Sequence, residues 1–174
     1  NYDFSEIFEA IMELTKEAYD SNTYAVAAIL VDETSGQVLQ KARNKVIAND
    51  KVHNYMHHAE KQLIDWYFAQ KTTLNLTDPK LTIISSLDPC LMCGSTILAS
   101  GFQAVSIALD SRAGVNHLGD ENYLFFPEHL RESAQTSLGY FAINGTDRSH
   151  SGYKGSIWDK AKVPKEIHDS LLDY

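Results

Sequence analysis

The sequence predicts an α/β fold: a three-layer α/β/α sandwich around a mixed five-stranded sheet, with an N-terminal antiparallel hairpin and the remaining strands mostly parallel. Three observations carry that expectation. Residues 24–31 are a near-continuous run of Ala, Val, Ile and Leu, which suits a strand buried on both faces. Further strands are expected at 81–86 and at 103–109, the latter alternating and rich in Val, Ile and Ala, with helix-period stretches between them. Strands that alternate with helices pack as one sheet covered on both faces and joined by right-handed crossovers.

In chain order, Phe4, Ile7, Phe8, Ile11, Met12 and Leu14 fall at three- and four-residue steps, so residues 4–14 predict a helix with one apolar face. Residues 32–36 turn the 24–31 strand into a second one at 37–42, which makes the hairpin. Residues 44–54 have no clean period and end in a polar loop. A helix follows over 56–70, with Ala59, Leu63, Ile64, Tyr67 and Phe68 on one side and His58 and Glu60 in its first turn. Residues 75–80 are turn material before the 81–86 strand, and a helix over 90–100 is stopped by Gly101. The strand at 103–109 leads into a loop over 110–120. Pro127 fits a helix N1 position ahead of 128–137, and 140–143 is the fifth strand. Residues 144–156 are rich in Gly, Ser, Thr and Asp, and Pro164 precedes a last helix over 165–173.

A chain of 174 residues suits one domain, so 1–174 is expected to be a single unit with 145–174 as a C-terminal extension. The longest apolar run, 24–31, is far too short to cross a bilayer. The first residues lack the basic and apolar blocks of a signal peptide, although a chain that begins at Asn1 leaves room for a preceding segment. A net charge of −8 argues against a surface that is basic throughout, while leaving room for a local basic groove. Two cysteines at metal-ligand spacing, with none left to pair elsewhere, suit a reducing compartment, and the cytoplasm is the expected location.

Those cysteines, Cys90 and Cys93, lie in Pro89-Cys90-Leu91-Met92-Cys93, where a strand becomes a helix. Two thiols at this spacing can bridge or bind one metal ion. With His58 they make three protein ligands and leave a fourth position open, the arrangement of a catalytic zinc site. A helix N-terminus favours the thiolate at Cys90, and Cys93 lies one turn on along the same face. Glu60, two residues past the histidine, is then free to handle protons. The competing readings are a redox pair and a closed structural site with His53, His57 or His117 as fourth ligand. His-x-Glu followed by Pro-Cys-x-x-Cys is, however, the signature of zinc-dependent nucleobase deaminases.

Over residues 25–119 the chain resembles the cytidine deaminase superfamily, in the branch of tRNA adenosine deaminases, guanine deaminases and yeast-type cytosine deaminases. The resemblance rests on the opening helix and hairpin, an asparagine after the second strand, His58-Ala59-Glu60, Pro89-Cys90-Leu91-Met92-Cys93-Gly94, Ser100-Gly101-Phe102 and a strand ending in aspartate. It implies Zn2+ held by His58, Cys90 and Cys93, with Glu60 as catalytic proton shuttle. The implied reaction converts an adenine- or cytosine-type amino base hydrolytically to the keto base and ammonia. Asn44 is implied to hydrogen-bond substrate, the backbone N–H groups of Ala59 and Cys90 to orient the base, and Asp110 to lie near the bound nucleotide. Turn formation is the plainer role for Asn44, and a solvated loop carboxylate the plainer one for Asp110. A parallel fifth strand resembles deaminases of polynucleotides, so the expected partner is tRNA or single-stranded nucleic acid, and a homodimer is implied by the family. A free base, nucleoside or nucleotide is the alternative substrate, and a deaminase-like binding subunit without turnover the alternative role. Asp88 departs from the glutamate common before Pro-Cys, and the similarity fades after Gly119.

Two further groups have double readings. Tyr123, Phe125 and Phe126 can stack a base or pack the core. Arg148, His150, Tyr153, Lys154, Lys160, Lys162 and Lys165 make the C-terminal part locally basic, and a solvated loop is preferred there over a phosphate track.

Overall fold

The computed structural model describes residues 4–70, 80–116, 123–146, 148 and 161–174. Helix α1 (Phe4–Asp20) runs on past the apolar spacing of its first turns and buries Ile7, Phe8 and Ile11. Strand β1 (Ala27–Asp32) turns into β2 (Val38–Arg43), and the turn is held by Asp32, whose carboxylate accepts from Thr34 N at 2.9 Å and whose carbonyl accepts from Gly36 N at 2.7 Å. A small hairpin, β3 (Ile47–Ala48) with β4 (Lys51–Val52), occupies the stretch that showed no period.

Helix α2 (Ala59–Gln70) starts later than the sequence predicts. Asn54 is the reason: its side chain accepts from Met56 N at 2.9 Å and its carbonyl from His57 N at 3.1 Å, which keeps those residues in a turn. His58 therefore stands just ahead of α2, and only Glu60 lies within its first turn. Strand β5 (Leu81–Leu87) is followed by α3 (Leu91–Ala99), with Cys90 as the N-cap residue. Gly101, at φ +75°, ends that helix. Phe102 N donates to Ile97 O and Gly101 N to Leu98 O, both at 3.1 Å, the paired closure that a left-handed residue after a helix permits.

Strand β6 (Gln103–Ala108) leads, beyond the loop, to α4 (Glu128–Ser137), where Pro127 is the N-cap rather than the first helical residue. The fifth strand is β7 (Leu138–Tyr140), earlier than predicted. The run at 140–143 divides: Phe141 N donates to Ser106 O at 2.9 Å, and β8 (Ala142–Ile143) leaves the main sheet to pair in parallel with β9 (Lys162–Val163), ahead of α5 (Lys165–Leu172).

The main sheet has the order β2-β1-β5-β6-β7, antiparallel across β2-β1-β5 and parallel across β5-β6-β7. Alternate residues of its strands face opposite ways, and this divides the core in two. Ala28, Leu30, Ile83 and Ala104 pack with Leu63 and Ile64 of α2, Ile97 of α3 and Ala134 of α4. Ile29, Val31, Ile84, Val105 and Ile107 pack with Phe8 and Ile11 of α1 and Leu171 of α5. The α/β fold is as expected, with helices on both faces. No helix among the described residues is long and apolar enough to cross a membrane.

Candidate active site

Strand β5 ends at Leu87, and two residues later the chain enters α3 beside the start of α2. That junction brings Cys90, Cys93 and His58 together. His58 Nδ1 lies 3.7 Å from Cys90 Sγ and 3.5 Å from Cys93 Sγ. A tetrahedral zinc with nitrogen at about 2.0 Å and sulfur at about 2.3 Å holds such atoms about 3.5 Å apart, so both nitrogen–sulfur distances fit that ion. The backbone of Tyr55 accepts a hydrogen bond from the imidazole and so orients the ring, the usual arrangement behind a metal-binding histidine. No fourth His, Cys, Asp or Glu joins the group among the described residues, so His53 and His57 stand apart from it. His117 lies outside the described residues.

The two thiols differ sharply. A hydrogen bond from Cys93 lowers the Cys90 thiol to a pKa of about 4, with His58 acting in the same direction and burial against it. Cys93 is pushed up, first by that hydrogen bond and then by burial. Without a metal ion, Cys90 is the better thiolate of the two. His58 is raised, chiefly by its hydrogen bond to Cys90.

Glu60 is 3% exposed. Burial raises its pKa, while hydrogen bonds from Cys93 and Ser85 oppose the rise. Ser85 was not singled out in the sequence; it is one of three buried hydroxyls of β5, with Thr82 and Ser86, each of which needs a partner.

His58, Glu60, Cys90 and Asn44 share a cavity of about 350 Å³. Asn44 Oδ1 accepts from Thr23 Oγ1 at 2.7 Å and from Val46 N at 2.9 Å. A backbone N–H only donates, so the atom it meets is the amide oxygen, and Nδ2 is left to donate elsewhere. Asn44 is therefore both a turn residue and part of the cavity wall. Ala59 opens α2, so its N–H has no acceptor within the helix. Asp110 is a wall residue whose carboxylate also closes its own loop, accepting from Arg112 N at 2.9 Å and Ala113 N at 3.3 Å.

Asp88, also in the wall, is held by Asn116, whose backbone N and Nδ2 donate to its two oxygens at 2.7 and 3.0 Å. Tyr123 Oη lies 2.6 Å from Asn116 Oδ1 and 3.1 Å from Leu138 O, extending this buried network to β7. A Cβ at Gly114 would stand 2.1 Å from Asp88 Oδ2, which explains a glycine where the loop crosses Pro89-Cys90. Asn116 escaped the sequence reading because its partner lies on another strand end.

Tyr123 and Phe126 are buried core residues, and Phe125 is half exposed against Phe126. In the basic C-terminal group, Lys162 is exposed and Lys165 pairs with Asp169 at 2.6 Å. Arg148 differs from the expected solvated loop: it lies 4.6 Å over the Tyr140 ring, with Nε and Nη2 buried and without hydrogen-bond partners. His150, Tyr153, Lys154 and Lys160 lie outside the described residues.

A mixed α/β sheet that gathers one histidine, two cysteines and a buried glutamate where two helices begin defines a deaminase-type zinc protein. The family model of the cytidine and deoxycytidylate deaminase zinc-binding region matches residues 3–109, and the chain belongs to that family. His58, Cys90 and Cys93 form a group able to hold the metal ion of such a zinc-binding region. Among solved structures, guanine deaminase from Nitrosomonas europaea is similar at TM-score 0.61 and 17% identity, over 96% of this chain and 81% of that one. A structure from a study of A-to-I editing by tRNA:A34 deaminases is similar at TM-score 0.53 and 20% identity, over 64% of this chain and 82% of that one. At these identities the likeness is one of fold. No curated protein matches the chain by sequence.

Proposed function

We propose that the protein is a zinc-dependent hydrolytic deaminase that converts an adenine- or cytosine-type base within single-stranded nucleic acid to its keto form, with water consumed and ammonia released. The observation that carries this reading is Glu60, a buried carboxyl in the same cavity as His58 and Cys90 and held by a serine hydroxyl. Zinc, when bound, supplies the Lewis acidity that activates water near neutral pH. Glu60 takes the proton of the attacking water, passes it to the ring nitrogen, and later protonates the departing amine. Asn44 Nδ2 and the N–H groups of Ala59 and Cys90 hold the base, and Asp110 borders the attached sugar. A raised Glu60 pKa suits a residue that must both accept and return a proton. Residues 1–174 are read as a single deaminase domain with 145–174 as an extension, working in the cytoplasm, where its thiols stay reduced.

A base attached to a strand is preferred over a free one because the cavity is open on one side. Tyr24, Val26, Leu87, Asp110 and Ala113 line both it and an adjoining groove of about 650 Å³ that reaches Tyr174. The test is mass spectrometry of zinc-loaded protein with bases, nucleosides, nucleotides, tRNA and single-stranded DNA, reading the amine-to-carbonyl gain of about one dalton. Glu60→Ala should retain zinc and release no ammonia. Conversion by Glu60→Ala at the wild-type rate, or none by the wild type on any substrate, overturns the reading.

A further inference from the structure

We propose that Tyr24 and Tyr55 are a stacking platform for the bases that flank the target in a single-stranded polynucleotide. The identity of the central base rests on the deaminase reading; the platform itself rests on the two tyrosines.

Both side chains line the cavity that holds His58 and Glu60, yet they are 61% and 77% exposed, which places them at its mouth. Other rings at the surface have company. Tyr19 packs on Tyr174 with centroids 5.1 Å apart, Phe68 on Phe102 at 6.1 Å, and Phe125 on Phe126 at 4.8 Å. Tyr24 and Tyr55 have no ring partner among the described residues, so their faces are open to a ligand. A bare aromatic face in water is a cost that a stacked base removes.

The backbones that carry these rings are tied to the site. Tyr55 accepts the hydrogen bond from the His58 imidazole, and Asn54 fixes the turn before it. Tyr24 O accepts from Val26 N at 2.9 Å, and its neighbour Thr23 is bonded to Asn44. The Cα atoms that carry the rings are thereby held close to His58 and to the amide proposed to hold the base.

Charge limits how such a strand can be held. Among the described residues, Arg112 is the single Lys or Arg lining the cavity and its adjoining groove, and the chain carries a net −8. Phosphate pairing is therefore a small part of the affinity, and stacking must supply the rest. A strand neutralised by one arginine should show a log affinity against log salt slope of about −0.7.

The experiment is fluorescence-anisotropy titration of a labelled single-stranded RNA of mixed sequence with the zinc-loaded protein. Variants are Tyr24→Ala, Tyr55→Ala and the corresponding Phe substitutions, each checked for zinc content. Each Ala variant should bind about 5- to 150-fold more weakly, while Phe, which keeps the ring, should bind like wild type. Ala variants that bind as tightly as wild type overturn the proposal. So does a wild-type protein that ignores the strand while releasing ammonia from a free base, a result that leaves the deaminase reading standing. Tyrosine-dependent binding without conversion of any base supports the platform and sinks the deaminase reading instead.

Discussion

Ser85 Oγ lies 2.9 Å from Glu60 Oε1 and 2.6 Å from the carbonyl oxygen of Leu87. A hydroxyl has one proton, and the carbonyl can only accept. When Ser85 donates to Glu60, the carboxylate is steadied; when it donates to Leu87, its lone pair faces a protonated Glu60. One side chain thus holds the carboxyl in either state. Ser85 also lowers the Glu60 pKa, so Ser85→Ala should raise it further and move the acid limb of the kcat–pH profile to higher pH. Zinc content should be unchanged, and an unmoved limb would remove Ser85 from this role.

The unequal thiols predict unequal reactivity in metal-free protein. Cys90, with its pKa near 4 and partial exposure, should be alkylated by iodoacetamide at pH 6, whereas the buried Cys93 should react slowly. Peptide mapping after chelation reads both sites. Added zinc should protect the pair, and equal labelling of both cysteines would contradict the assignment.

Asp88 predicts how stability follows pH. Burial raises it from 3.8 to about 7, against the opposing hydrogen bonds from Asn116. The folded chain keeps this proton to higher pH than an unfolded one, so the contribution of Asp88 to stability is fully present below about pH 4. It should fall as pH rises toward 7, by at most about 4 kcal/mol. Asp88→Asn carries no such titration. The difference in Tm between the variant and wild type should therefore move in the variant's favour across that window, and a constant difference would refute the shift.

Asn44 does two things that substitution can separate. Asn44→Ala strands the Val46 N–H and the Thr23 hydroxyl, a loss of about 1–3 kcal/mol in urea unfolding. Thr23→Val removes one of those partners but leaves Nδ2 in place. Stability should drop in both, whereas KM should rise markedly only for Asn44→Ala; equal KM values would limit Asn44 to a structural part.

The two halves of the candidate metal group and the sheet were legible because the signal of each is local. Cys90 and Cys93 are one helical turn apart, and the run that becomes β1 declares burial on both faces through its composition. Boundaries were less so. The start of α2 was displaced by Asn54, and the predicted fifth strand was divided because Ala142 and Ile143 pair with β9 instead of β6.

By itself, then, the sequence determined the fold class, and it nominated a metal-binding group and the carboxylate beside it from residue types in two short motifs. Only the tertiary structure decided what surrounds them. Ser85 meets Glu60, Asn116 meets Asp88, and Tyr24 and Tyr55 meet at one cavity mouth because the sheet order places separate strand ends and loops side by side. Such contacts are set by which chain segments become neighbours in space, and no spacing along the chain encodes that.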